Sequence, residues 1–220
     1  MIKGVIFDFD GTLADTVPDL ETAMNNMLRR YGWRERTRDE ILSFINRGVR
    51  AFVARAMPKG SYETIDDDIV NEAIAVYNEE YAKCCNDKTA PFPGVADAIA
   101  SLKSEGIKLG VLSNKQDEFV KLMTEKLFPG AFDSVHGQSD LPEKPSPESA
   151  YLVASEMGVA PSECAFVGDS DVDMKTGVNS GMLPVGVLWG YRGADVLREA
   201  GASVIVSDAD ELVSVILGKN

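Results

Sequence analysis

Two carboxylates stand at the end of an apolar run near the N-terminus, Val5-Ile6-Phe7-Asp8-Phe9-Asp10-Gly11-Thr12-Leu13-Ala14. The β-branched and aromatic residues predict a buried strand over Val5–Phe9. Residues i and i+2 of a strand point to the same side, so Asp8 and Asp10 are expected to face one crevice. Like charges that close repel by about 4 kcal/mol at 4 Å in a partly shielded site. A strand selected only for stability has no use for such a pair. The doublet therefore implies a cation or a shared proton, and with it chemistry. The plainer alternative is a strand ending in a turn, for which Asp and Gly are ordinary residues.

Composition narrows the chemistry. The chain of 220 residues is 45% apolar and 26% charged, the balance of a soluble globular protein with a core of ordinary size. Its net charge of −13 opposes nucleic acid and anionic membrane surfaces as partners. No apolar stretch is long enough to span a bilayer. Asp8 interrupts the first apolar run, so that run is not expected to be a signal peptide. The three cysteines, Cys84, Cys85 and Cys164, are odd in number and two are adjacent. Reduced thiols in a cytoplasmic compartment account for them.

His136 is the only histidine. A catalytic triad needs a histidine with two partners, and a zinc protease motif needs a histidine pair. A thiol phosphatase needs an arginine six residues after its cysteine, and Ala90, Pro91 and Ser170 occupy those positions. A hydrolase with this composition must work through carboxylates.

The elements that must position those carboxylates alternate. Strands are predicted at Val5–Phe9, Leu109–Leu112, Ser134–His136, Ala165–Val167, Pro184–Leu188 and Ser203–Val206. Amphipathic helices are predicted at 94–105, 116–127, 146–158, 171–180, 193–200 and 208–217. This alternation defines an α/β protein with a doubly wound, Rossmann-like parallel sheet. Gly106, Gly158, Gly181 and Gly201 fall where such helices should stop. Residues 18–83 break the pattern with four successive helices, at Asp19–Arg30, Asp39–Ile45, Val49–Ala56 and Asp66–Ala82. Ile65, Ile69, Ala73, Val76 and Tyr77 form an apolar stripe on the last. The expected organisation is a core of residues 1–15 and 88–220 with an inserted all-helical domain of residues 16–87. Its hinges are Ala14–Pro18 and Asp87–Pro93.

Asp8-Phe9-Asp10-Gly11-Thr12-Leu13 at the end of the first strand resembles the first motif of the haloacid dehalogenase superfamily, most of whose members are magnesium-dependent phosphatases. Three further motifs of that family follow in order. Leu109–Val111 lead to Leu112-Ser113-Asn114, Lys144 stands in Glu143-Lys144-Pro145-Ser146-Pro147, and Ala165–Val167 lead to Gly168-Asp169-Ser170-Asp171-Val172-Asp173. In family terms the helical insert resembles the cap placed after the first strand.

The resemblance implies roles that suit the residue types. Asp8 is the expected nucleophile, because a carboxylate attacking phosphorus splits one hard step into two through an aspartyl-phosphate. Asp10 is the expected general acid and base, and its backbone carbonyl the expected metal ligand. Asp169 should bind Mg²⁺ with Asp8, since hard oxygen ligands suit that ion. Asp173, four residues on, is expected to face the same way and to bind the metal through water or orient Lys144. Asp171 should face away. Gly168 permits close backbone approach. Ser113, Asn114 and the backbone around Gly11 are expected to hold the phosphoryl group, although Ser113-Asn114 also reads as a helix N-cap. Lys144, in a loop stiffened by Pro145 and Pro147, balances the charge of the phosphate and the acids.

Selectivity is expected from Asn46-Arg47-Gly48-Val49-Arg50 in the insert. Arg47 and Arg50 suit capture of a carboxylate or a second phosphate, and the stretch resembles the cap loop of phosphoglycolate phosphatases. The family pattern has a Gly before the Asn, where this chain has Ile45. The expected partner is a small phosphorylated metabolite, phosphoglycolate first among them, and the expected assembly a monomer or homodimer.

Other readings have less in the sequence behind them. A dehalogenase of the superfamily would lack Asp10. A phosphonatase needs a cap lysine, for which Lys59 and Lys83 have no supporting pattern. A sugar phosphomutase has a cap histidine, where this chain has Leu20. A receiver-type signalling domain is shorter and has no insert.

Overall fold

The structure, a computed structural model, describes residues 1–58 and 67–219. Six parallel strands form the main sheet: β1 (Gly4–Phe7), β4 (Lys108–Gln116), β5 (Ser134–Gln138), β6 (Cys164–Gly168), β7 (Leu183–Val187) and β8 (Val204–Val206), in the order β5-β4-β1-β6-β7-β8. The two-residue strands β2 (Ala14–Asp15) and β3 (Ala90–Pro91) lie where the chain leaves and re-enters this unit. Numbered by first appearance, the sheet order is 3-2-1-4-5-6. The connections run to one side of β1 and then to the other, and ligands of such sheets bind at that switch point, outside the carboxyl ends of the strands.

Every residue of β1 is buried, as a central parallel strand covered on both faces requires. Val5 lies opposite Leu109 on one side and Ala165 on the other. Ile6 and Phe166 belong to an apolar cluster with Leu112, Val153, Met157 and Cys164. Burial of each large side chain contributes about 1.5–3 kcal/mol. A Cβ on Gly110 in β4 would stand 2.5 Å from Val153 Cγ1, so glycine there lets α7 (Glu148–Met157) lie close to the sheet. The helices α5 (Val95–Ser104), α6 (Asp117–Leu127), α8 (Asp171–Ser180), α9 (Ala194–Glu199) and α10 (Ala209–Leu217) complete the unit. Gly106, Gly158, Gly181 and Gly201 all have positive φ at helix ends, as expected.

The chain divides into two compact units, Met1–Asp15 with Pro91–Asn220, and Thr16–Ala90. The second consists of α1 (Val17–Arg30), α2 (Arg38–Phe44), α3 (Gly48–Ala56) and α4 (Asp67–Cys84). Met24, Met27 and Leu28 of α1 and Ala73, Tyr77 and Tyr81 of α4 are buried, and the Phe52 ring meets Tyr77 edge-on at 5.6 Å. Thr37 and Glu40 close a capping box on α2. The division falls after Ala90 rather than Asp87. Buried Asp19 in the first turn of α1 accepts from the Lys88 and Thr89 N–H groups (3.0 and 2.8 Å) and from the Thr89 hydroxyl (2.7 Å), which ties those residues to the helices.

Two strand ends and one helix face differ from the sequence expectation in ways that bear on the site and the core. β1 stops at Phe7, because the chain turns through Gly11 at φ +84° and Asp8–Asp10 leave the extended line. β4 runs to Gln116, carried past Leu112 by a shift in register against β5. Ser113 and Asn114 therefore lie in a strand, and Gln116 is the N-cap of α6. On α4 the buried stripe is Val70, Ala73, Tyr77, Tyr81 and Cys84, while Ile69 is exposed. Lys59, Ile65 and Asp66 lie outside the described residues. Among the described residues, no helix is long and apolar enough to cross a membrane.

Candidate active site

The carboxyl ends of β1, β4 and β6 bring together most of the residues singled out in the sequence. Asp8 follows β1, and its N–H still donates to the Val167 carbonyl (2.9 Å), which fixes the backbone that carries the carboxylate. Asp169 follows β6. Asp173 sits one turn into α8, where it accepts from the Ser170 N–H (3.1 Å) and hydroxyl (2.5 Å) as part of a capping box. A Cβ on Gly168 would lie 2.3 Å from Asp173 Cβ, so only glycine lets the helix start this close to the strand.

Lys144 reaches into this group from the loop after β5. Its Nζ lies 2.8 Å from Asp8 Oδ1 and donates to Asp173 Oδ1 at 2.7 Å, with all three side chains nearly inaccessible. The ammonium also stands 5.4 Å from the centre of the Phe166 ring, a further favourable contact for a cation. Asn114 holds the loop, accepting from the Lys144 N–H (2.9 Å) and donating to the Lys144 carbonyl (3.0 Å). Its amide is thus engaged by main chain, where the sequence suggested phosphate.

Asp169 is held from two sides by groups the sequence reading passed over. Thr12 Oγ1 donates to Oδ1 at 3.3 Å, and the Tyr191 N–H donates to Oδ2 at 2.7 Å. Tyr191 belongs to the loop after β7, Trp189-Gly190-Tyr191. Trp189 Nε1 donates to the Thr12 carbonyl (3.0 Å), and the Tyr191 hydroxyl donates to Asp15 Oδ1 (3.1 Å). A glycine between two aromatics directly after a strand was the available signal. Gly11 packs against the same carboxylate, since a Cβ there would lie 2.5 Å from Asp169 Oδ2.

Asp10 does not join the other acids through its side chain. Its Oδ1 lies 3.1 Å from Lys115 Nζ, a residue absent from the sequence expectation. Ser113 Oγ accepts from the Lys115 N–H at 3.3 Å. Asp171 pairs with Lys175 on the outside of α8 (2.8 Å), as expected.

The electrostatics of the buried acids are those of an incomplete charge set. Burial, then the Asp173 charge, pushes the Asp8 carboxyl up to about 7, against the opposing pull of Lys144. Burial and the charges of Asp173 and Asp8 likewise raise Asp169 well above the usual carboxylate range. Burial alone would lower the Lys144 pKa, but Asp173 and Asp8 outweigh it and raise it, so the ammonium stays protonated.

Lys144 thus meets two of the three buried carboxylates, and Asp169 stays raised despite the charge of Arg192, which fits a site that takes up another cation. Ligand oxygens of Asp8, Asp169 and Asp173 lie within 4.8 Å of one another. Asp8 Oδ1, though near the lysine, is outside hydrogen-bond geometry and otherwise unpartnered. An all-oxygen, acidic donor set suits a hard divalent ion.

Arg47 and Arg50 belong to the helical unit. Arg50 pairs there with Asp67 and donates to Asn71 Oδ1 (3.1 Å). Asn46 and Gly48 both have positive φ, +80° and +73°. Asn is among the residues that tolerate this region, whereas Ile45, where the family pattern has its glycine, has an ordinary φ of −67°.

A doubly wound sheet with aspartates and a buried lysine at its switch point fits a hydrolase that works through carboxylates. The chain belongs to the haloacid dehalogenase-like hydrolases, whose family model matches residues 5–187. It is 32% identical over 219 residues to the phosphoglycolate phosphatase of Psychrobacter arcticus, covering 97% of this chain and 95% of the relative. It is 30% identical over 212 residues to that of Pseudomonas putida, covering 95% and 78%. A crystal structure from Lactobacillus delbrueckii, described as that of a candidate phosphoglycolate phosphatase, superposes with a TM-score of 0.90 at 36% identity over 98% of both chains. A β-phosphoglucomutase from Clostridium difficile has the same fold, with a TM-score of 0.81 at 20% identity, covering 100% of this chain and 97% of that one. The chain is a phosphatase of this family.

Proposed function

We propose that the protein is a Mg²⁺-dependent phosphomonoesterase that transfers the phosphoryl group of a small metabolite to Asp8 and then to water, with phosphoglycolate the leading substrate. The observation that carries this reading is Asp8 itself: a buried carboxylate beside the Lys144 ammonium and two further acids, at the carboxyl end of the central strand. The names of the relatives support the substrate.

Asp8 would attack phosphorus as the bond to the leaving oxygen breaks. Asp10 would give that oxygen its proton, then take one from the water that attacks the aspartyl-phosphate. Proton transfer of this kind contributes about 10²–10⁴ in rate. Lys144 would offset charge on the phosphoryl oxygens, and the Ser113 hydroxyl with backbone N–H groups near Gly11 would hold them. Asp8, Asp169, Asp173 and the Asp10 carbonyl are the residues that would hold Mg²⁺. When bound, the ion would neutralise the acids against the incoming phosphate and favour charge build-up on the phosphoryl group.

Thr16–Ala90 would serve as a cap that excludes water during reaction and reads the far end of the substrate, with Arg47 or Arg50 pairing to its carboxylate. Free thiols at all three cysteines accord with work in a reducing, cytoplasmic compartment. Assay of a panel of phosphorylated metabolites with Mg²⁺ and with EDTA tests the reading. Hydrolysis that requires Mg²⁺ and favours phosphoglycolate is expected. Full turnover after exhaustive chelation contradicts it.

A further inference from the structure

Lys115 is the second cation of the crevice. Its Nζ is 3.1 Å from Asp10 Oδ1, and the two side chains are only 7% and 10% exposed. Asp8 and Asp173 share Lys144, whereas Asp10 has Lys115. The backbone from which Lys115 departs is itself fixed, because its N–H donates to Ser113 Oγ inside β4. A carboxylate that must meet a leaving oxygen and later a water gains from being held in one orientation, since displacements of about 1 Å can cost about 10²-fold in rate.

We propose that Lys115 is a positioning residue for Asp10, holding its carboxyl group where the acid form gives its proton to the leaving oxygen and the carboxylate so formed takes one from the attacking water. This rests on the acid–base assignment of Asp10 made above. Because Lys115 acts through Asp10, its removal matters only where Asp10 has a proton to move. An alkoxide is a poor leaving group and needs that proton, whereas p-nitrophenolate departs as the anion. The ratio kcat/KM reports on the steps up to the first irreversible one, here phosphoryl transfer to Asp8, so it separates the two cases.

The test compares Lys115→Met, which keeps the methylene stem without the charge, with Lys115→Arg, which keeps a cation. Each is assayed on an alkyl phosphate and on p-nitrophenyl phosphate, with thermal melting to confirm folding. Lys115→Gln takes the place of the methionine variant if that variant is insoluble. The neutral variant is expected to lose about 10-fold or more in kcat/KM on the alkyl phosphate and less than about 3-fold on the nitrophenyl ester, and Lys115→Arg to recover most of the loss. In an Asp10→Asn background the neutral substitution is expected to cost less than about 2-fold more, because coupled residues are not additive.

Equal losses on both substrates, or a full additive loss on top of Asp10→Asn, overturn the proposal and point to direct substrate contact or to structure. Wild-type activity in Asp10→Asn on the alkyl phosphate overturns the site assignment as well. A wild type and an Asp10→Asn that behave as proposed, with Lys115→Met unchanged, overturn the role of Lys115 alone.

Discussion

Gly190 offers a test of how tightly the acids proposed to hold Mg²⁺ are held. It lies between the Asp169 side chain and the backbone of the first motif. A Cβ built there would stand 2.2 Å from Asp169 Cβ, 2.7 Å from its Cγ and 2.4 Å from the Gly11 carbonyl oxygen. Carbon atoms pack at about 3.5–4.0 Å, so Gly190→Ala requires Asp169, or the loop itself, to move by more than about 1 Å. Relief toward Gly11 is blocked by main chain, and movement of the loop strains the Tyr191 N–H bond to Asp169 Oδ2. The overpacking should cost about 1–3 kcal/mol of stability. If Asp169 holds the ion as proposed, displacing its support should weaken Mg²⁺ about 10- to 100-fold.

Gly193→Ala is the matched control, since nothing lies within 4 Å of its Cβ position and its φ of −82° suits any residue. Calorimetric Mg²⁺ titration and melting curves with and without the ion read the outcome. Mg²⁺ at one hundred times the wild-type Kd stabilises the native state by about 2.7 kcal/mol, and a 100-fold weaker site at the same concentration leaves about 0.4 kcal/mol. A folded Gly190→Ala whose Mg²⁺ affinity stays within about 2-fold of the Gly193→Ala control would refute the reasoning.

Two further outcomes follow from the same geometry. Asp8 is raised from 3.8 to about 7, and burial with the charges of Asp173 and Asp8 raises Asp169 as well, so the folded, metal-free protein keeps protons that the unfolded chain has released. Stability from these groups is complete below about pH 4 and is lost as pH rises through about 7. Mg²⁺ binding needs the ionised acids, so the gap in melting temperature between Mg²⁺ and EDTA samples should widen from pH 5 to pH 8; a flat or narrowing gap counts against the assignment. In the helical unit, Arg47→Ala or Arg50→Ala should raise KM for phosphoglycolate and change p-nitrophenyl phosphate little, since the ester has no carboxylate to hold. An unchanged KM ratio in both variants removes this loop as the selector.

Much of the site was legible because strand ends are legible. Apolar runs stop at Phe7, Val167 and Leu112, and polar residues directly beyond such runs must gather wherever the strands are adjacent and parallel. That is why Asp8 and Asp169 meet from positions far apart in the chain, while Asp173 joins them from the first turn of α8 and Lys144 from the loop after β5. Contacts made across the crevice were not legible. Thr12 and the Tyr191 N–H hold Asp169 through 157 and 22 intervening steps of chain, and no local pattern encodes either. Lys115 was missed for a different reason. The helix was expected from residue 116, with Ser113 and Asn114 read as phosphate-holding residues or caps before it, whereas the register shift in β4 keeps Lys115 on the strand, beside Asp10. The apolar stripe of α4 was displaced because Ile69 is as apolar as Val70, and only tertiary packing decides which is buried.

The most direct measurement concerns where the phosphoryl group goes. Wild-type protein is mixed with a phosphate monoester and Mg²⁺, quenched in acid during turnover, digested and examined by mass spectrometry, in parallel with Asp8→Asn. The expected result is a hydroxylamine-labile phosphoryl adduct on the peptide containing Asp8, absent from Asp8→Asn, which also shows no turnover. An adduct on another residue, or wild-type turnover in Asp8→Asn, contradicts the account.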